Sequence, residues 1–166
     1  MRGGRTVTYK HNDPDIFHGK ELSLHDCVAD KITYENGVLS FNLPEGFWIT
    51  TNHDANDLEN VIRTDSARVD FRVDDILDVS VDVYIRKRNI IKRTIVQYWD
   101  AQDLIDAVNS GKCTIEFIYQ YRTFFEQMWQ CVIRSEKKPY YRECYLHIPG
   151  TEVIYRWNNL RPDHTW

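Results

Sequence analysis

The sequence predicts a mainly β fold of the α+β class: a curved antiparallel sheet or open barrel of about nine strands, with one packed helix at about residues 100–110. Apolar and polar side chains alternate with a period of two along most of the 166 residues, which is typical of half-buried strands. Short turns separate consecutive runs, and short turns favour antiparallel pairing. A single helical segment supplies too few crossovers for a parallel sheet.

Composition predicts one domain over residues 1–166. Hydrophobic residues make up 42% of the chain and charged residues 28%, so it can bury a core. The sequence has no glycine-rich phosphate loop and no GxSxG motif, so we expect neither a cofactor nor a catalytic residue. The first residues lack an apolar leader, and the four cysteines form no CxxC pair, so we expect a cytoplasmic protein without a membrane span.

The first third predicts an arm followed by a β-meander. Residues 1–20 show no apolar periodicity, so we expect an irregular arm. Alternation over residues 22–32 predicts one strand, and the Asn36-Gly37 dipeptide predicts a two-residue hairpin turn because both residues tolerate positive φ. The return strand covers residues 38–43. Residues 51–66 are polar and turn-rich, which indicates a loop.

A long hairpin and one helix follow. Valine and isoleucine alternate with charged residues over 79–85, the tip lies near Asn89, and a second run covers 90–98. Asp100 is a favourable helix N-cap, and the glycine at position 111 can end the helix.

The last third reads as further antiparallel strands. Alternation predicts that one face of the strand after the helix carries Cys113, Ile115, Phe117, Tyr119 and Tyr121. Strands are also expected over residues 128–134, 140–148 and 152–157, with Cys131 and Cys144 near enough for a possible bridge. Residues 158–166 are expected to be a frayed tail.

Charge is unevenly distributed along the chain. The net charge is −4, but residues 1–83 carry 8 basic and 16 acidic side chains, whereas residues 84–166 carry 13 basic and 9 acidic ones. An aspartate-rich stretch directly precedes a basic hairpin. Two interpretations are open: opposite charges pair across the hairpin, or the cations meet an acidic partner. The candidate partner-binding cations are Arg86, Lys87, Arg88, Lys92 and Arg93.

Aromatic side chains are the second candidate feature. They make up 13% of the chain and concentrate in its last third. Alternation allows some of them to lie opposite the core-facing set, where an exposed aromatic surface would mark a recognition site. The candidate partner-binding aromatics are Tyr84, Trp129, Tyr141 and Tyr145.

The triplet His25-Asp26-Cys27 combines a base, an acid and a nucleophile. On a strand, Asp26 would point away from the other two, so no catalytic unit is expected. His25 and Cys27 would share a face and are weak metal-ligand candidates, with His11, His18, His53 and Asp54 as possible further ligands. Since no ligand spacing supports such a site, no metal is expected.

The segment LHDCVADKITYENGVLSFNLPEGFWI resembles the start of small bacterial β-rich domains of the immunity-protein type. The resemblance covers about residues 22–49 and is a hairpin pattern, so it transfers no catalytic residue. It implies an intracellular protein that acts by binding. The leading hypothesis is therefore a non-enzymatic immunity- or inhibitor-like protein that recognises a protein partner. The alternatives are a β-barrel for a small ligand, nucleic-acid binding through the basic hairpin, and a His/Cys metal site.

Overall fold

The computed structural model describes residues 5–9, 21–88, 92–122, 125–150 and 152–166, which contain fifteen strands and one α-helix. The strands of the first half are β1 Arg5–Tyr9, β2 Leu22–Ser23, β3 Cys27–Ala29, β4 Lys31–Glu35, β5 Val38–Leu43, β6 Trp48–Ile49, β7 Ile62–Thr64 and β8 Ala67–Arg72. Those of the second half are β9 Ser80–Arg88, β10 Lys92–Asp100, β11 Cys113–Arg122, β12 Glu126–Ser135, β13 Tyr141–Pro149, β14 Val153–Trp157 and β15 Leu160–Thr165. A 3-10 turn covers Ile76–Asp78.

The strands form three antiparallel sheets, and within the described ranges none of the three closes into a barrel. Their orders are β1-β14-β8-β5-β4, β10-β9-β13-β12-β11-β3 and β15-β7-β6-β2. The mainly β, α+β class is therefore confirmed, whereas a single sheet of about nine strands is wrong.

Aromatic rings join the five-stranded and six-stranded sheets. Phe41 packs edge-on against Phe117 at 5.2 Å between ring centroids, and Phe71 packs against Trp129 at 6.2 Å. All four side chains are buried. Burying a side chain of this size contributes about 1.5–3 kcal/mol, so this layer is a main source of stability. The four-stranded sheet adds Ile49, among others, to the same hydrophobic cluster.

Helix α1 spans Ala101–Asn109, as the sequence predicts. The Asp100 side chain accepts from the backbone N–H of Asp103, and the Asp103 side chain accepts from that of Asp100, which forms a capping box. Leu104 is among the buried residues of the helix. Asn109 fixes the far end, because its amide both donates to and accepts from the backbone of Ile32 at 2.7 and 2.8 Å.

The strand predicted over residues 22–32 is interrupted. Asp26 has a φ of 57°, so residues 25 and 26 form a turn between β2 and β3. The turn shifts the alternation of buried residues from even to odd positions, since Leu24 is buried before it and Cys27 is buried after it. The Asn36-Gly37 turn between β4 and β5 is confirmed, with φ values of 52° and 74°.

Both ends of the chain contain strands. Within the expected irregular arm, β1 pairs with β14, while residues 1–4 and 10–20 lie outside the described residues. The expected frayed tail is wrong, since β15 pairs with β7. The predicted loop over 51–66 is mostly turns but ends in β7.

Candidate protein-binding surface

The long hairpin that the sequence predicts is the ribbon of β9 and β10, and its predicted tip at Asn89 lies outside the described residues. Nine residue pairs join the two strands, from Ser80 opposite Asp100 to Arg88 opposite Lys92. Strand β13 pairs with β9 only from Ser80 to Tyr84, and β10 is the edge of its sheet. Beyond Tyr84, the ribbon therefore projects as two strands only.

The register of this ribbon brings cations together. Lys87 lies directly opposite Arg93, and Arg88 lies directly opposite Lys92. The hypothesis that the aspartates neutralise these cations across the hairpin is wrong, because Asp82 lies opposite Tyr98. Along the strand, Asp82 and Lys87 are about 16 Å apart. That distance is about twice the Debye length at physiological salt, so the attraction between the two is largely screened.

Only part of this positive charge is compensated within the described residues. Arg86 forms an ion pair with Glu143 of β13, with 3.2 Å between Nη2 and Oε2. Lys87 and Arg93 are exposed, and no acidic side chain of the described ranges pairs with either. Arg88 and Lys92 are described at the level of the backbone register only. The ribbon is thus a basic projection on a chain of net negative charge.

A β-bulge in β11 determines which tyrosines face outward. The register with β12 shifts between Phe117 and Tyr119, and Ile118 is the additional residue. After the bulge, Tyr119 lies opposite Gln130 and Tyr121 opposite Met128. The prediction that both tyrosines share the face of Phe117 is therefore wrong. Phe117 is completely buried, whereas Tyr119 is 54% exposed and Tyr121 is 45% exposed.

A hydrogen-bonded network connects the outward side chains across four strands. The Tyr121 hydroxyl donates to Gln130 Oε1 at 3.3 Å, and Gln130 Nε2 donates to Glu143 Oε1 at 3.1 Å. The Tyr145 hydroxyl donates to the same Glu143 oxygen at 3.4 Å. Desolvation and the Glu143 charge raise the pKa of Tyr145, so its hydroxyl stays a donor. Together with the ion pair to Arg86, this network orders the side chains of Tyr121 and Tyr145.

The predicted aromatic anchors separate into two groups. Tyr84 packs edge-on against Tyr145 at 5.6 Å, and Tyr141 is 66% exposed with the Arg134 guanidinium 5.5 Å from its ring centroid. Trp129 is wrong as a partner anchor, because only 3% of it is exposed and it packs in the core. Its position on the inner face follows from the alternation of β12.

Two tyrosines that sequence reasoning missed, Tyr119 and Tyr121, belong to this outward set. Strict alternation predicts that both tyrosines face the core. The bulge that turns them outward was not predictable, because the sequence of β11 alternates regularly and contains no glycine to mark a bulge. We define the outer tyrosine face as Tyr84, Tyr119, Tyr121, Tyr141 and Tyr145.

The His25-Asp26-Cys27 triplet takes a different geometry from the one expected. Because residues 25 and 26 form a turn, the Asp26 carboxylate lies beside the His25 ring, with 3.5 Å between Oδ2 and Nε2. The prediction that the Asp26 side chain points away from His25 is therefore wrong. Cys27 instead directs its thiol to the backbone oxygen of His25 at 3.5 Å. Burial raises the pKa of Cys27 to about 12, so the thiolate that a metal or a nucleophilic mechanism needs is disfavoured.

The further metal ligands that the sequence suggests are His11, His18, His53 and Asp54. His11 and His18 lie outside the described residues, and the His53 ring accepts from the backbone N–H of Ala55 at 3.0 Å. In the part of the chain that the structure describes, no three His, Cys, Asp or Glu side chains form a group able to hold a metal ion.

No described helix combines the length and the apolar character needed to cross a bilayer. Comparison of the chain with protein-family models, with curated proteins and with solved structures gives no match.

Proposed function

We propose that this chain is a non-enzymatic, immunity- or inhibitor-like binding protein that docks on an acidic surface of a protein partner. The observation that carries the proposal is the register of the ribbon, in which Lys87 lies opposite Arg93 without a neighbouring carboxylate among the described residues. Like charges directly opposite each other destabilise a sheet. Carboxylates of a partner would offset the repulsion between the two cations. The repulsion that destabilises the isolated ribbon would then favour formation of the complex.

The outer tyrosine face supplies the second part of the proposed contact. Tyrosine presents a large amphipathic area and loses little rotamer freedom on binding, which is why it is enriched at interface hot spots. Here the Glu143 network already orders two of the hydroxyls, Tyr121 through Gln130 and Tyr145 directly. Ordering before contact lowers the entropic cost of association.

The basic ribbon and the outer tyrosine face have different roles in the proposed contact. The exposed ribbon raises the association rate, since a local positive field attracts an acidic surface even on a chain of net charge −4. The tyrosines slow dissociation, since buried aromatic contacts contribute most of the affinity. The resemblance of residues 22–49 to immunity-type domains supports the same class of function.

We also propose a cytoplasmic location. The four cysteines are free and buried, and Cys131 lies directly opposite Cys144 on the adjacent strand. Two opposed thiols that remain unbridged fit a reducing compartment.

The test is kinetic and uses a partner captured with the intact chain. Association is measured by biolayer interferometry between 50 and 300 mM NaCl for the wild type and for the double variant Lys87→Ala, Arg93→Ala. We expect the association rate at low salt to fall about ten-fold and its salt dependence to flatten. The matched control removes Lys31 and Lys112, two exposed lysines outside the ribbon, and should leave the rate unchanged.

A projecting basic ribbon also has the width to enter the major groove of DNA, so a 20-base-pair duplex is included as a competitor. The negative net charge of the chain favours a protein partner. The proposal is overturned if the ribbon variant associates as fast as the wild type. It is equally overturned if the duplex binds tightly and loses that binding in the ribbon variant.

A further inference from the structure

A cavity of about 630 Å³ lies between the end of α1 and the turn that joins β12 to β13. Residues 110–113 line it on the side of the helix, and residues 135–139 line it on the side of the turn. A volume of this size is typical of sites for small organic molecules. Arg142 also lines the cavity and lies opposite the buried Ile133, so it is on the other face of β13 from Tyr141. The cavity is therefore distinct from the outer tyrosine face.

The Arg142 side chain is held by two neighbours that also line the cavity. Its guanidinium lies over the Trp99 ring, with 5.1 Å between Cζ and the ring centroid. Its Nη2 donates to Ser135 Oγ at 3.1 Å, which uses one of the five N–H groups of the guanidinium. An arginine held in this way has lost rotamer freedom before a ligand arrives, so the entropic cost of binding is lower.

Positive charge is concentrated at the cavity. The described lining includes four cationic side chains and one acidic one: Lys112, Lys137, Lys138, Arg142 and Glu136. Four positive charges and one negative charge give this lining a net charge of +3, although the whole chain has a net charge of −4. A local excess of one sign in a concave site focuses the electric field and attracts ions of the opposite sign. The lining therefore favours an anionic ligand.

The Cys113 thiol shows that two of these cations act on the same part of the wall. Cys113 lines the cavity, and burial raises the pKa of its thiol, whereas the charges of Arg142 and Lys112 lower it. The raising effect of burial is the largest, so the thiol stays protonated at neutral pH. The cavity is therefore suited to binding an anion and not to attack by a thiolate.

The type of cation and the remaining lining restrict the anion further. Arginine matches phosphate oxygens with two parallel hydrogen bonds, and lysine supplies additional positive charge. A phosphate monoester carries about −1.5 to −2 charge at pH 7, which suits the excess of cations. Trp99, Ala107 and Pro139 add apolar surface to the lining, which a bare phosphate ion cannot use.

We propose that this cavity binds a small organic phosphate monoester. Arg142 binds the phosphate oxygens, the lysines compensate the second negative charge, and the organic group packs against Trp99 and Pro139. The inference goes beyond the proposed protein-binding function and does not depend on it, since neither Lys87 nor Arg93 is among the described lining residues.

The experiment follows the indole N–H signal of Trp99 in the full chain by ¹H–¹⁵N NMR while phenyl phosphate, inorganic phosphate or phenol is added. Phenyl phosphate has the dianion and a ring, inorganic phosphate has the charge alone, and phenol has the ring alone. We expect phenyl phosphate to shift the Trp99 signal, inorganic phosphate to bind about five-fold more weakly, and phenol to bind at least about ten-fold more weakly. The Trp99 signal is assigned by its loss in Trp99→Phe.

Two sets of variants test the cations. Arg142→Gln should weaken the binding of phenyl phosphate by about ten-fold or more, because hydrogen bonds between charged groups are lost. The double variant Lys137→Gln, Lys138→Gln removes exposed side chains of a turn, so it keeps the test valid even if Arg142→Gln fails to fold, and it should weaken binding by about five-fold. The matched control is Lys31→Gln, Lys87→Gln, which removes two exposed lysines that are not among the described lining residues and should bind like the wild type.

Three results would overturn the inference. The first is a Trp99 signal that stays unmoved at about 10 mM phenyl phosphate. The second is binding of phenol or of inorganic phosphate as tight as that of phenyl phosphate. The third is a Lys137→Gln, Lys138→Gln variant that binds phenyl phosphate no more weakly than the control. None of these results bears on the association kinetics of the ribbon, so failure of this inference and failure of the proposed function are distinguishable.

Discussion

Reversing the charge of Lys87 should stabilise the isolated chain. Lys87 and Arg93 lie directly opposite each other. For two long side chains on opposed residues we take a mean separation of about 7 Å between the charged ends. Coulomb's law with a dielectric constant of 80 gives a repulsion of about 0.6 kcal/mol at that distance. Screening at physiological salt lowers the repulsion to about 0.25 kcal/mol. Lys87→Glu replaces the repulsion by an equal attraction, so the free energy of unfolding should rise by about 0.5 kcal/mol.

The assay is urea unfolding at 20 mM and at 500 mM NaCl. The gain should be about 0.9 kcal/mol at 20 mM and should fall to about 0.2 kcal/mol at 500 mM NaCl, because salt screens only a charge interaction. Arg93→Glu alone should give a similar gain, whereas the double reversal restores a like-charge pair and should lose it. Lys31→Glu is the control, since Lys31 lies opposite the uncharged Asn42.

A double reversal as stable as either single variant would refute this reasoning, because the two charges would then be shown not to interact. The same single reversal should slow association with the proposed acidic partner. Higher stability together with slower binding is the combination expected when a charge cluster serves binding at the expense of the fold.

Three further predictions concern the fold. Gly46→Ala should destabilise by about 3 kcal/mol or more, because a Cβ at its φ of 73° collides with the backbone at the end of β7, whereas Gly111→Ala has open space and should cost about 1 kcal/mol in the same urea assay. Asp70→Asn should cost about 2 kcal/mol, because it removes the negative charge of a buried carboxylate that pairs with both Arg68 and Arg156, whose Nε atoms lie 2.8 and 2.7 Å from it; an unchanged urea midpoint would contradict this. Burial raises the pKa of Cys27 from 9.0 to about 12, so its contribution to stability is complete below pH 9 and falls by about 1.4 kcal/mol per pH unit between the two values. The decline between pH 9 and 10 should be shallower in Cys27→Ala.

Features that depend on neighbouring residues were predictable from the sequence. The Asn36-Gly37 turn and the Asp100 cap each need only a few adjacent residues, and both are confirmed. The pairing of β1 with β14 and of β15 with β7 joins segments far apart in the chain. No local pattern specifies such partners, which is why both chain ends were expected to be irregular.

The like-charge register of the ribbon has a simple origin. In a hairpin, residues at equal distances from the tip lie opposite each other. The cations lie at the end of β9 and the start of β10, so Lys87 lies opposite Arg93, whereas the aspartates precede β9 or lie near its start. Their closeness in the sequence suggests that the aspartates neutralise the cations. The register of the hairpin keeps the two sets of charges apart.

The bulge at Ile118 determines which side chains the outer tyrosine face contains. By adding one residue to β11, it turns Tyr119 out of the core and onto the outer tyrosine face, and it directs the Ile118 carbonyl to His25. The His25 ring in turn contacts the Tyr119 ring, with 5.3 Å between the ring centroids. The turn between β2 and β3 therefore supports one end of the proposed protein-binding surface, so His25→Ala should weaken the binding of a partner although His25 is not part of that surface.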